Sequence, residues 1–510
     1  ENILIKFYNN EVIILSEEKY DICVIGAGPG GYHSAIRAAQ YGAKVALVEK
    51  NNLGGTCLNW GCIPTKSLYA SAKMVEDIEE KAAEFGIEIT DYKINFPQAV
   101  ERKNKVVKDL VDGIATLMKQ HRVSVFYGAG SLDGGEDMDL KVKVEGEDNV
   151  TINAKKVIIA TGSKPAMIPA FNIDHDRILT SDDILHPDFK TVPKKLLIIG
   201  AGVIGCEFGN IFTRMGSEVE MLEYLPSMIA TEERIIINQL KKKFKELGIK
   251  LHVNQNVLSV ENTGSGVKAT TCSADVPRDQ TDSAEKSYFE ADYCLVSIGR
   301  ARVSDGLNCD KMGIKTERGQ ISCNKETLET DCKGVYAIGD VTGGVMLAHV
   351  ASYEGDIAVS NALVAIGGFD CEPEKTDYSV VPATIFTSPE IGSVGMRSSE
   401  AKKYVKEKGS KLYTGRFGYA ALGKALCMGE EEGLMMIMAD NETKEILGAS
   451  CIGAEAPELI AEVALAMQNK LTVHDIDDTI HSHPTLSEIV LETSEDVHGM
   501  SIHKKGRRKK

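Results

Sequence analysis

Cys57 and Cys62 lie in the run Gly-Gly-Thr-Cys-Leu-Asn-Trp-Gly-Cys-Ile-Pro-Thr-Lys that ends at Lys66, two thiols with four residues between them. Thiols held on one turn of structure interconvert between dithiol and disulfide and so carry an electron pair. Far downstream, His483 stands five residues before Glu488 in His-Ser-His-Pro-Thr-Leu-Ser-Glu. An isolated pair of this kind also reads as a surface turn. Here Pro484 fixes the turn beside the histidine, and a carboxylate bound to one imidazole nitrogen would orient the other as a base.

Such groups need rigid elements to hold them, and the chain supplies one pattern twice. The apolar run Tyr20–Ile25 leads into Gly26-Ala-Gly28-Pro-Gly-Gly31, and Leu196–Ile199 leads into Gly200-Ala-Gly202-Val-Ile-Gly205. The first glycine permits a tight turn, the second lets backbone approach a pyrophosphate, and the third lets helix pack on strand. The phosphates would sit at a helix N-terminus, where free N–H groups and the dipole favour negative charge. Alone, such a motif is weak, because turns before helices use glycine for conformational reasons. Its recurrence is not: an acid, Glu49 or Glu223, lies 23 positions after the first glycine in both copies, and Gly42 and Gly216 lie 16 after it. Two dinucleotides with free ribose 2′-hydroxyls are therefore expected, and the absence of a nearby Arg after Glu223 favours NAD over NADP.

Further strands are predicted at Val157–Ile159 before Thr161-Gly162, at Asp292–Ile298 before Gly299-Arg300, and at Val335–Ile338 before Asp340, which on local sequence also reads as a strand-end cap. Residues 263–288 read as a long hairpin loop or mobile insertion. After about residue 375, alternating strand patterns and an Ala-rich helix around 456–469 suit an interface domain.

The bulk numbers set limits. A chain of 510 residues suggests three or four domains at about 100–200 residues each. A hydrophobic content of 43%, a charged content of 26% and a net charge of −16 argue against disorder and against general affinity for nucleic acid. No apolar run approaches the roughly 18 residues of a membrane-spanning helix. Twelve cysteines over such a length are not a secreted disulfide framework; Cys23, Cys206, Cys294 and Cys451 read as buried thiols, and a reducing compartment follows. The chain begins with Glu, as either a removed leader or a trimmed end would give; the compartment expected is a bacterial cytoplasm or, if a leader was removed, a mitochondrial or plastid matrix. No metal-ligand spacing is read.

The runs GGTCLNWGCIPTK, GAGVIGCEFG, AIGDVTGGVMLAH and HSHPTLSE, within a likeness spanning about Tyr20 to residue 495, resemble the class I flavin-dependent pyridine nucleotide–disulfide oxidoreductases, and within them the dihydrolipoamide dehydrogenase (E3) branch. The resemblance implies an α/β fold of two Rossmann-like domains, for FAD and NAD, plus a C-terminal α+β dimerisation domain. It implies bounds of 1–19 for an N-terminal extension, 20–165 and 296–372 for the FAD-binding and central parts, 166–295 for the NAD-binding domain, 373–500 for the interface domain and 501–510 for a basic tail.

The resemblance also implies roles. Cys57 would be the interchange thiol that meets substrate, Cys62 the thiol facing the flavin, and Lys66 a lysine at the flavin's reactive edge. Glu207 would approach from the nicotinamide side, and His483, oriented by Glu488, would be a base supplied by the other subunit. FAD contacts would come from Gly26, Gly28, Gly31, Glu49, Lys66, Gly130, Thr161, Gly162, Asp340 and Ala348. NAD contacts would come from Gly200, Gly202, Gly205, Glu207, Glu223, Val257 and Gly299. The implied activity is NAD-linked oxidation of protein-bound dihydrolipoamide by a homodimer. Its partners would be lipoyl-bearing E2 subunits or the glycine cleavage H protein, together with E3-binding segments, with no nucleic acid and no membrane.

Trp60, between the cysteines, is bulkier than the family's usual residue, Thr65 replaces a common Ser, and the usual Pro after Gly299-Arg300 is absent. Glutathione-type reductases would want cationic help for a phosphate near Glu223, and mercuric reductases a cysteine pair near the C-terminus, where the last cysteine here is Cys451. A subunit that only docks onto an assembly would not need Cys57, Cys62, His483 and Glu488 intact.

Overall fold

The computed structural model of the chain describes residues 3–8, 11–16 and 19–504. Most of the basic tail lies outside them, as do the side chains of the N-terminal extension. Two compact units emerge: Glu1–Pro64 with Lys103–Ala166 and Arg300–Asp377, and Thr65–Arg102 with Met167–Gly299 and Tyr378–Lys510.

The first unit is built on a sheet ordered Ser124–Tyr127, Val45–Glu49, Lys19–Ile25, Val150–Ile159, Asp139–Glu145 and Ala129–Glu136, with Val335–Ala337 added against Val150–Ile159. Pairing is parallel from Ser124–Tyr127 through Val150–Ile159 and onto Val335–Ala337. It turns antiparallel through the two remaining strands. Every residue of Val45–Glu49 is buried, as expected of a parallel strand covered on both faces. Ile22, Leu47 and Ile158 pack there with Ala35 and Ala38 of helix Pro29–Gln40 and Ile357 and Ala358 of helix Ala348–Ile366. Full burial of each large aliphatic contributes about 1.5–3 kcal/mol.

The second unit holds a five-stranded parallel sheet ordered Ile178–Leu179, Tyr293–Val296, Lys195–Ile199, Glu218–Leu222 and Lys250–His252. It also holds an antiparallel sheet ordered Ala383–Ile385, Ile391–Gly395, Ile446–Ile452, Leu434–Asp440 and Leu412–Gly418. The helices Ala456–Gln468 and Glu488–Val497 bury Ile460, Val463, Ile489 and Val490 in the core of this second sheet. Two doubly wound α/β sheets and a C-terminal α+β sheet are the fold class expected.

One expectation needs correction. Residues 263–288 are not a plain loop: Val267–Ser273 is the centre of a three-stranded antiparallel sheet between Gln255–Asn262 and Ser287–Ala291. Its burial alternates through Val267, Ala269 and Thr271, a period of two that the polar composition hides. Irregular chain remains in the turn at 263–266 and in the connection from that strand to Ser287, which carries the short 3-10 turn Arg278–Ser283.

Candidate active site

The two glycine loops have the same construction. Helices Pro29–Gln40 and Val203–Arg214 start at Gly28 and Gly202, which have near-identical extended backbones. A Cβ on Gly31 would lie 1.7 Å from the Gly26 carbonyl oxygen, and one on Gly205 would lie 2.0 Å from that of Gly200, so only glycine allows helix and loop to touch. Glu49 accepts the Ala27 N–H at 2.7 Å and the Asn51 N–H at 2.8 Å. Glu223 accepts the Ala201 N–H at 2.6 Å and the Leu225 N–H at 2.7 Å. Each carboxylate is thereby aimed along its loop and keeps acceptor lone pairs for ribose hydroxyls. A Cβ on Gly28 or Gly202 would meet nothing within 4 Å, which leaves space over both helix N-termini. Each loop fits a dinucleotide.

In the first unit the cysteine turn is fastened to that loop. Gly54 donates its N–H to the Ala27 carbonyl at 2.8 Å. Gly55, at φ +55°, brings its Cα so near that an added Cβ would lie 2.6 Å from the Gly28 Cα. Helix Gly55–Trp60 follows, then Gly61, then helix Cys62–Glu76. Cys57 is partly buried, Cys62 is exposed, and the two lie close together. Burial and the neighbouring Cys57 thiol push Tyr32 above its usual range. Cys23, Cys206, Cys294 and Cys451 are fully buried, and burial drives each thiol far up, so they stay protonated and inert.

Asp340 is not a simple strand-end cap; it sits in the 3-10 turn Gly339–Thr342. Its carboxylate accepts from the Ser163 hydroxyl, and Arg300 donates to the Ser163 hydroxyl at 2.7 Å and carbonyl at 2.9 Å. Thr161 binds the Val303 carbonyl, and Gly162 lies beside it at φ +67°. Ala348 opens helix Ala348–Ile366. Gly130 is on strand Ala129–Glu136, where a Cβ would press on Ile25 and Val48. Sequence reasoning missed Ser163, Arg300 and the buried Glu354, whose carboxylate takes the Gly339 N–H at 2.5 Å. These residues are distant in sequence from one another, and only the fold pairs them.

In the second unit, Lys66 Nζ binds both oxygens of Glu207, at 2.8 and 2.9 Å. Glu207 is 4% exposed and also accepts the Phe386 N–H at 3.0 Å. Lys66 Nζ stands 4.6 Å from the Phe386 ring centre, so the pair is a preorganised charge couple of a buried carboxylate and a partly exposed ammonium. Val257 lies on strand Gln255–Asn262 beside a register shift, and Gly299 follows the sheet strand Tyr293–Val296.

His483 Nδ1 meets Glu488 Oε1 at 2.9 Å, and the other Glu488 oxygen takes the Thr485 N–H at 2.9 Å. Burial alone would raise the Glu488 carboxyl, but the Thr485 N–H and His483 outweigh it and hold it below the usual carboxylate range. With Nδ1 given to the carboxylate, Nε2 is the basic nitrogen, on a side chain that is 77% exposed. His481, not singled out from sequence, is instead tied at both nitrogens, to Glu462 at 2.8 Å and the Thr479 carbonyl at 2.9 Å. It braces the loop.

Residues 20–355 match the pyridine nucleotide-disulphide oxidoreductase family, and residues 381–494 match that family's dimerisation domain. The chain is 40% identical over 479 residues to the dihydrolipoyl dehydrogenase of Chlamydia trachomatis, covering 94% of this chain and 96% of the relative. It is 38% identical over 491 residues to that of Bacillus subtilis, covering 95% and 99%. Among solved structures, LpdA of Mycobacterium tuberculosis superposes with a TM-score of 0.83 at 27% identity, covering 93% of this chain and 99% of that one.

Proposed function

The chain belongs to the pyridine nucleotide-disulphide oxidoreductases, and on that premise we propose that it is an FAD-containing, NAD-linked dihydrolipoyl dehydrogenase, the E3 subunit of a 2-oxo acid dehydrogenase or glycine cleavage complex. The observation that carries this reading is the Cys57–Cys62 turn fastened through Gly54 and Gly55 onto the first dinucleotide loop. We assign FAD to residues 20–165 with 296–372, NAD to 166–295, and subunit pairing to 373–500. FAD would be held by Gly26, Gly28, Gly31, Glu49, Gly130, Thr161, Gly162, Asp340 and Ala348, with Lys66 at its edge. NAD would be held by Gly200, Gly202, Gly205, Glu207, Glu223, Val257 and Gly299. The partners are a second copy of the chain and lipoyl-bearing subunits, in a reducing compartment, either bacterial cytoplasm or organelle matrix.

In this reading His483, from the second copy, takes a proton from one dihydrolipoyl thiol, because the thiolate is the attacking form. The thiolate attacks Cys57 Sγ, breaks the Cys57–Cys62 disulfide, and leaves Cys62 as a thiolate. The second substrate thiolate then displaces Cys57, closing the lipoyl disulfide, so two electrons and two protons leave the substrate. FAD, when bound, supplies the route by which that electron pair reaches NAD. The buried Glu207 carboxylate, 2.8 Å from Lys66 Nζ, would fix where that ammonium sits.

The test is turnover of dihydrolipoamide with NAD by the purified yellow protein, followed by capture of its lipoyl-bearing partner. A folded flavoprotein that transfers no electrons from dihydrolipoamide to NAD would end this reading.

A further inference from the structure

His474, Asp477 and His498 form a cluster that the activity above does not use. We propose that these three side chains form a site for a divalent transition metal of the zinc type, which staples helix Val473–Asp477 to the C-terminal end of helix Glu488–Val497. His474 and Asp477 are three residues apart and share a helix face, and His498 follows the second helix. His474 Nδ1 and His498 Nε2 each lie 3.6 Å from Asp477 Oδ2, and the three donor atoms lie within 4.8 Å of one another.

A separation of 3.6 Å is too long for a hydrogen bond of ordinary strength. It is close to the roughly 3.4 Å between two ligands of a tetrahedral ion with bonds of about 2.0–2.1 Å. His498 Nε2 and Asp477 Oδ1 are moreover buried with no hydrogen-bond partner, a condition native interiors avoid and a ligand would relieve.

The two rings stack 4.4 Å apart and 3° from parallel, so their in-plane lone pairs do not converge and one ring must turn for both to hold one ion. His474 is 56% exposed and can turn onto the ion. Two imidazoles and one carboxylate suit zinc and leave a fourth position for water.

The staple would join the two elements that bracket the His481–Glu488 loop. Ser494 already ties them through the Val473 carbonyl at 2.9 Å. Metal occupancy is therefore expected to slow amide exchange across residues 478–487.

The test is a calorimetric titration of zinc chloride into chelator-treated holoenzyme kept oxidised, so that Cys57 and Cys62 are held as a disulfide and do not compete. One zinc per chain is expected, with affinity weakened at least ~10-fold by His474→Ala and by His498→Gln. The metal should also raise the thermal midpoint of the unsubstituted chain. Should His498→Gln fail to fold, the exposed His474→Ala decides alone. No zinc uptake by the unsubstituted protein, or equal uptake after His474→Ala, overturns the proposal.

Discussion

The two glycine loops differ most instructively where they agree. In both, the carbonyl of the alanine after the first glycine accepts an N–H from a later segment: Ala27 from Gly54 at 2.8 Å, and Ala201 from Ile229 at 2.9 Å. In both, the strand-end glutamate takes that alanine's own N–H. The clasp in the first unit runs on into Gly55 and Cys57, whereas the clasp in the second runs on through residues 230–233 to helix Arg234–Glu246, with no thiol. One local solution to binding a dinucleotide thus carries a disulfide centre in one place and none in the other. The chemistry resides in what the clasp leads to, not in the clasp.

Removing the thiol erases that difference and should have the largest effect. Cys57→Ser is expected to cut dihydrolipoamide oxidation by about 10⁴- to 10⁶-fold, the scale of losing a nucleophile, with bound flavin retained in the visible spectrum. His483→Gln should lower the same rate by about 10²- to 10⁴-fold while leaving NADH-dependent reduction of an artificial acceptor nearly intact, since the base serves only the thiol half. Glu488→Gln should act in the same direction by roughly 10-fold, because it orients the base without moving the proton. A comparable drop in both assays would show that the halves are not separable as drawn.

The proposed base from a second copy admits a sharper version. Heterodimers of Cys57→Ser and His483→Gln chains should regain one working site each, and a mixture as inactive as either parent would refute a base from the second copy.

The second loop is tested through Glu223. Its carboxylate would repel a 2′-phosphate and accept from a 2′-hydroxyl. The kcat/KM ratio for NAD over NADP is therefore expected to be on the order of 10²-fold or more, and to fall about 10-fold in Glu223→Gln. Equal values for the two coenzymes in the unsubstituted enzyme would contradict the assignment. Gly55→Ala is the mildest change, straining the first clasp alone. A side chain at φ +55° whose Cβ meets the Gly28 Cα at 2.6 Å should cost about 1–3 kcal/mol, measurable as a lower midpoint in urea and faster flavin loss.

Most of the framework was legible in the chain. The strands before each glycine run, Lys19–Ile25 and Lys195–Ile199, fall where their apolar runs place them, and Ala456–Gln468 is the Ala-rich helix expected. These signals are local: burial on both faces writes a continuous apolar run, and a turn with positive φ writes glycine. Val267–Ser273 was misread because its sequence, with two Thr, a Lys and a Ser among seven residues, dilutes the alternate burial of Val267, Ala269 and Thr271, among neighbours that look like loop.

Residue types and spacing by themselves determined the redox pair, the two dinucleotide loops with their acids, and the His483–Glu488 pair, because each is a short run whose chemistry needs adjacent residues. Tertiary structure alone decided which groups are charged partners across the chain. It put Lys66 on Glu207, Arg300 on Ser163, Ser163 on Asp340, and Glu354 under Gly339. It also gathered His474, Asp477 and His498 around one point. Those contacts join side chains from separate elements, and their energy depends on burial and distance, which spacing along a chain does not encode until the helices and sheets have packed.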